Sequence, residues 1–342
     1  MAKNIIATWI CVDTEDNSTY FPSAKGKSSD AKVLNIYYRC ICCFYTVARY
    51  YNPDATLALF SNTANLPNVD GVDVKELLQK LNVNFYVTPF EYVTPQGYYN
   101  QWRNQFYEFS IFKYISTHND FSDDDNFLLL DSDCIITQNL SGLFNEVTAE
   151  KCITYVIDYE PNHNINGNSR KSMQSVFSAL LNEKVEHIPQ YHAGEFYATT
   201  IAVLKTLIND FYTVWKQLLA LNEARLDKLH EEAHTLSFLF YKNGFAGGQA
   251  NKYIKRLWTD PTTFRNIEDG DENLAIWHLP AEKRHGFTDL FEWLQKKNFN
   301  LSSFAPQQLQ QRLQNTFMIP SIPLSKRSYF AAKSLVKKVF AK

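Results

Sequence analysis

The chain has 342 residues, 45% hydrophobic and 20% charged, with a formal net charge of -2. This balance buries a sizeable core, excludes a disordered chain, and lacks the global basic field of a nucleic-acid binder, so no nucleic-acid partner is expected. No run of about 20 apolar residues occurs, which excludes a helical membrane span, and residues 1–6 lack the apolar core of a signal peptide.

In chain order, residues 5–12 are apolar and β-rich, a buried first strand that ends at Asp13 and opens into a polar loop over 13–32. Residues 33–51 carry aromatic side chains at helical spacing. A short strand (56–60), a helix (74–81), a third strand (84–87) and a helix (107–116) follow. Asp123, Asp124 and Asp125 precede a fourth strand, 127–130, that runs directly into Asp131. Strands alternating with helices predict an α/β fold with a mixed, mostly parallel sheet flanked by helices. Ligands of such sheets bind at the carboxyl ends of strands, where Asp13 and Asp131 stand. Beyond Asp133 the pattern mixes: a strand at 152–157, a helix at 172–181, an extended segment at 193–203, and helices at 204–221 and 231–242. The six cysteines, Cys11, Cys40, Cys42, Cys43, Cys134 and Cys152, show neither zinc nor redox spacing. They read as small core side chains, which suits a reducing, cytoplasmic setting.

The strongest chemical signal is Asp131-Ser132-Asp133 between two apolar runs. Carboxylates beside a core need compensation for lost hydration. A hard divalent cation, Mn²⁺ or Mg²⁺, supplies it through oxygen ligands and keeps room for phosphate oxygens. The stretch resembles the DxD motif of glycosyltransferases with the GT-A fold. His230-Glu231-Glu232-Ala233-His234 resembles the His-Asp-Glu-Ser-His stretch of retaining glycosyltransferase family 6, with Glu for Asp and Ala for Ser. Tyr191-His192-Ala193-Gly194-Glu195 resembles that family's glycine-containing acceptor segment. His278 through Lys283 resembles, more weakly, the late His-x-x-Gly-x-x-Lys motif of family 8, with Ala281 where the glycine belongs.

The resemblance implies a retaining, metal-dependent transfer of a hexose from a UDP-sugar to a glycan acceptor. It implies Asp131, Asp133 and His278 as metal ligands, Lys283 on the diphosphate, and Glu232 as nucleophile or electrostatic stabiliser with Glu231 on donor-sugar hydroxyls. A nearby anion is what an oxocarbenium-like state requires. Glu195 is expected to bind acceptor hydroxyls, beside a glycine that permits close backbone approach. From the residues themselves, Asp13 suits the base or ribose, Ser132 the donor, and the Arg103 fork the diphosphate or ribose. Trp9 or Tyr38 suits stacking on the base. The expected organisation is a catalytic domain over 1–285 and a helical C-terminal extension over 286–342.

The segment 323–342 carries six basic and no acidic residues, with apolar side chains near helical spacing. This pattern suits an amphipathic helix on an anionic membrane surface, and with it a peripheral location on the inner membrane face and a lipid-linked or lipopolysaccharide-type acceptor. Other readings were an inverting enzyme of the same fold, a sugar nucleotidyltransferase, against which the single Gly26 in 14–32 speaks, and a non-catalytic glycan-binding module.

Overall fold

The structure, a computed structural model, describes residues 2–21, 24–99, 101, 103–261, 264–324, 326–327 and 330. The apolar run near the N-terminus forms β1 (Asn4–Ile10), with Ile5, Ile6 and Ala7 buried. The stretch read as a polar loop contains a hairpin, β2 (Tyr20–Phe21) with β3 (Gly26–Lys27). Two-residue strands leave no periodicity to read, which is why the sequence predicts only a loop there. Then come α1 (Ala31–Tyr51), β4 (Thr56–Ser61), the hairpin β5 (Asn68–Val69) and β6 (Val72–Asp73), α2 (Val74–Lys80) and β7 (Val83–Val87). The next elements are α3 (Tyr107–Thr117), β8 (Asn126–Leu130), β9 (Cys134–Ile136), α4 (Ser141–Glu150), β10 (Cys152–Val156), α5 (Arg170–Leu181) and β11 (His192–Thr200). The chain continues through α6 (Ile201–Glu223), α7 (Glu232–Lys242), β12 (Ile254–Arg256), β13 (Ile276–His278), α8 (Gly286–Lys296) and α9 (Pro306–Phe317).

Helix boundaries follow local chemistry. The Asp73 carboxylate accepts from the Glu76 N–H and caps α2. Ser169 and Ser172 cap α5 reciprocally, and Asn182 ends it in a left-handed conformation.

Six strands form the main sheet in the order β10-β11-β8-β1-β4-β7. Contacts β8–β1, β1–β4 and β4–β7 are parallel, whereas β11 runs antiparallel to both β8 and β10. Within the parallel half, β8 and β4 are buried on both faces, as helices on each side require, while the edge strand β7 is largely half-buried or exposed. On one side α3 packs on α6, and the rings of Phe109 and Phe211 stack with centroids 3.8 Å apart. Such a pair contributes about 0.5–1.5 kcal/mol beyond its buried area. A second sheet, β12-β13-β9, takes up the chain immediately after the main sheet's β8.

α8 packs on α1, and Phe287, Leu290, Phe291 and Leu294 join the same core as the main sheet. All six cysteines are buried thiols. No helix among the described residues is long and apolar enough to cross a membrane. Most of the basic segment over 323–342 lies outside the described residues.

Candidate active site

The two aspartates occupy the seam between the sheets. β8 ends at Leu130, and Asp131, Ser132 and Asp133 form the tight link to β9, closed by Cys134 N–H donating to the Asp131 carbonyl at 3.0 Å. Asp131 N–H donates to the Glu195 carbonyl on β11 (3.2 Å), and Leu279 N–H donates to the Asp133 carbonyl (3.0 Å). Antiparallel pairing of β13 with β9 sets His278 opposite Cys134. One ligand atom each from Asp131, Asp133 and His278 lie within 4.8 Å of one another. His278 Nε2 is 3.2 Å from Asp133 Oδ2 and 3.7 Å from Asp131 Oδ2.

Behind the imidazole stands Glu195. Its Oε1 is 3.0 Å from His278 Nδ1, and Arg256 grips the same carboxylate with Nε at 2.8 Å and Nη2 at 2.5 Å. The side chain is 1% exposed and both oxygens are engaged. The sequence predicts Glu195 on acceptor hydroxyls; in the structure its side chain lines the cavity with both oxygens held by Arg256 and His278. A glycine beside it suits close approach to a sugar, but here Gly194 makes room for another acid: a Cβ there would collide with Glu232 Oε1.

Lys283 Nζ donates to Asp133 Oδ2 and lies 5.7 Å from the centre of the Tyr37 ring. Lys283 stands five positions after His278 rather than the six of the family motif. A 3₁₀ turn over Pro280–Glu282 turns Lys283 inward, while Arg284, at the motif's spacing, is exposed.

The charges adjust to this crowding. Burial and the neighbouring Asp133 push Asp131 up to about 6. Burial would raise Asp133 too, but Lys283 and His278 hold it well below the usual carboxylate range. Burial disfavours the His278 cation, yet Asp133 and Glu195 outweigh it and push the ring to about 9. Burial opposes charging of Glu195 as well, and Arg256 and His278 keep it ionised.

A second acidic pair comes from the start of α7. Glu231 is the helix's N-cap residue, but its side chain does not cap. It accepts from Asn166 Nδ2 at 2.5 Å and from the Tyr191 hydroxyl at 3.1 Å, and burial pushes it up to about 7. Glu232 is buried, its Oε2 has no hydrogen-bond partner, and burial with the adjacent Glu231 raises it well above the ordinary range.

These groups meet in a cavity of about 450 Å³, the size of a small-molecule site. It is lined by Asp131, Ser132, Asp133, Glu195, Glu231, Glu232, Arg256, His278 and Lys283, with the rings of Trp9, Tyr37, Tyr159, Tyr191 and Trp258. Of the two aromatic candidates for base stacking, Trp9 lines the cavity and Tyr38 does not: Tyr38 is buried in the core, and its neighbour Tyr37 takes the cavity side of α1. Asp13 and Arg103 are not among the lining residues. Asp13 Oδ2 accepts from Ser28 Oγ at 2.6 Å, and only Ser28 reaches the cavity. Arg103 is tied to the 94 loop, with Nη2 donating to the Thr94 carbonyl at 2.5 Å. Sequence reasoning missed Arg256, Trp258 and Tyr37. Ile254-Lys255-Arg256 carries no motif, and only pairing of β12 with β13 brings Arg256 beside His278.

No family model and no curated protein sequence matches the chain. Solved structures do match its fold. The galactosyltransferase LgtC, in complex with donor and acceptor sugar analogs, superposes with a TM-score of 0.50 at 12% identity, over 90% of this chain and 99% of that one. An active-site mutant of LgtC gives 0.51 at 10% identity, over 94% and 99%. The fold is GT-A. In this GT-A chain the likeness runs through both sheets and the helices that follow them, since nearly the whole of each chain is covered.

Proposed function

We propose that this chain is a metal-dependent glycosyltransferase that moves a hexose from a UDP-sugar to a glycan acceptor with retention of configuration. The observation that carries the reading is the cluster of Asp131, Asp133 and His278 at the carboxyl end of β8, facing a cavity of ligand size. The GT-A fold supports it.

The donor set fits Mn²⁺ or Mg²⁺: two carboxylates and one imidazole, mostly hard oxygen ligands. Asp131 is partly exposed, and its Oδ2 stands 3.7 Å from the imidazole Nε2, beyond hydrogen-bonding distance, so it is open to a cation. Glu195 fixes the other ring nitrogen, the arrangement typical of metal-bound histidine. The bound cation supplies neutralisation of the negative charge on a leaving nucleoside diphosphate.

The chain's own groups do the remainder. Lys283 serves the diphosphate from beside Asp133, with Ser132 on the same side of the cavity. Trp9 and Tyr37 offer faces to the base. Glu232 stands as nucleophile or stabiliser of the anomeric centre. Its burial raises it well above the ordinary range, and positive charge growing on the sugar favours its ionised form. Glu231, held by Asn166 and Tyr191, serves donor-sugar hydroxyls.

The test is release of UDP from UDP-hexoses with Mn²⁺, followed by product-anomer analysis by NMR. Asp131→Asn and Asp133→Asn should each lower the rate at least about 100-fold, as should chelation. Full activity without metal, or an inverted product, ends the respective part of the reading.

A further inference from the structure

The cavity runs along one edge of the main sheet, past four neighbouring strands. Trp9 and Ile10 stand at the end of β1, Asp131 follows β8, and Tyr159 and His163 follow β10. β11 is antiparallel to both β8 and β10, so those two strands point the same way and their carboxyl ends share that edge. From β1 to β10 is three strand steps, about 14 Å, with Asp131 between. Trp9 and Tyr37 offer faces to the base and Lys283 serves the diphosphate, which leaves the β10 end for the second substrate. Glu195, with both oxygens held, leaves recognition of that substrate to other groups.

The β10 end is aromatic. Tyr159 and His163 stack with centroids 4.6 Å apart and an interplanar angle of 3°. Tyr159 is half-buried, and His163 is exposed at the cavity's mouth. β12 lies against the same end: the Arg256 N–H donates to the Tyr155 hydroxyl on β10 (3.0 Å), and Arg256 Nη1 donates to the Tyr159 hydroxyl (3.3 Å). Trp258, two residues farther along that segment, also lines the cavity and is half-buried. The Tyr159 hydroxyl accepts from Arg256 and donates to none of the described residues, so its proton is available to a ligand.

A ring face packs on the C–H face of a pyranose, and a phenol beside it reaches one of the sugar's oxygens. A peptide side chain or a small alcohol offers no such face. Arg256 joins Tyr159 to Glu195, and Glu195 holds His278. One chain of contacts thus sets a ring seated here at a fixed offset from the Asp131, Asp133 and His278 cluster, as a transfer requires. Resting on the glycosyltransferase reading above, we propose that Tyr159, His163 and Trp258 form the acceptor subsite and seat the terminal hexose of a glycan, whose remaining sugars leave past His163 to solvent.

The probes are the methyl α- and β-pyranosides of glucose, galactose and mannose at millimolar concentration, each added to a UDP-hexose with Mn²⁺. At least one should speed UDP release beyond the rate in water, and serine or threonine peptides and glycerol should not. Trp258→Ala and His163→Ala, checked by melting curve, should each raise KM for that hexoside about tenfold while the Kd for UDP, measured by calorimetry, holds. Tyr159→Phe keeps the ring and removes the hydroxyl, and should raise the same KM about threefold. No acceleration by any hexoside, or equal or greater acceleration by the peptides or glycerol, overturns the proposal. An unchanged KM in both folded ring variants overturns it as well. If the UDP-hexose is hydrolysed with Mn²⁺ and only the acceptor tests fail, the donor reading stands; if neither UDP nor any UDP-hexose binds, both fall.

Discussion

Glu195 Oε1 lies 3.0 Å from Nδ1 of His278, on the ring edge opposite the aspartates. The contact fixes which nitrogen of the imidazole faces Asp131 and Asp133, and Arg256 in turn fixes Glu195.

Glu195→Gln keeps the shape and removes the charge that orients the ring. Loss of such a partner weakens metal binding by about 10–100-fold. Titration with Mn²⁺, followed by electron paramagnetic resonance of the free ion, should show that weakening with the fold intact. An unchanged Kd would mean that His278 needs no such support.

Gly194→Ala tests the acid beneath the strand. The new methyl would meet Glu232 Oε1, and at 3.3 Å the Cβ of Ala233. The nearer obstacle is the end of a side chain that can swing away, so the fold should lose only about 1–3 kcal/mol. Glu232 would be displaced, and kcat should fall at least about 100-fold with UDP affinity preserved. Equal losses in stability and in UDP binding would count against a role for Glu232 in the transfer.

Lys283 and Arg284 make a contrasting pair. Lys283→Met leaves Asp133 buried without its ammonium; breaking such a pair costs about 3–5 kcal/mol. The metal-free melting temperature should drop, Mn²⁺ should restore much of it by balancing Asp133, and UDP should bind more weakly. Arg284→Ala, at an exposed position, should change neither property. Calorimetry and thermal unfolding with and without Mn²⁺ separate the two variants.

Acid should destabilise the chain through two buried rings. Burial lowers His192 from 6.5 to about 4 and His234 from 6.5 to about 3. Between those values and 6.5 the unfolded chain takes up protons that the folded chain refuses. The contribution of these two rings is therefore full above about pH 6.5 and is lost as pH drops through that window. At the acid end the loss is on the order of 3 kcal/mol for His192 and about 5 kcal/mol for His234. Urea midpoints of His192→Gln should fall less between pH 6.5 and 4 than those of the unmodified chain; parallel curves would rule out His192 as a source.

The alternating elements were legible because long apolar strands and amphipathic helices carry their period in the sequence: β1, β8 and α1 lie within two residues of their predicted limits. The grouping of Asp131, Asp133 and His278 was legible in part, since the two aspartates are neighbours and His278 follows an apolar run. What escaped was everything that depends on pairing between distant strands. Arg256 is unremarkable, and Glu195 suggests only an acceptor ligand, until β12, β13 and β11 are assembled around one point and bring both beside His278. Tyr37 and Tyr38 differ by one step on a helix, about 100° of rotation, which decides cavity or core and which spacing alone does not fix.

The seam between the sheets has a mechanical consequence. Asp131 and Asp133 end one sheet's strand, His278 ends a strand of the other, and α8 and α9 hang from the chain just beyond His278. A cation held by all three would act as a rivet between segments far apart along the chain. Its loading would be felt in slowed amide exchange through the small sheet and into the C-terminal helices, well away from any sugar.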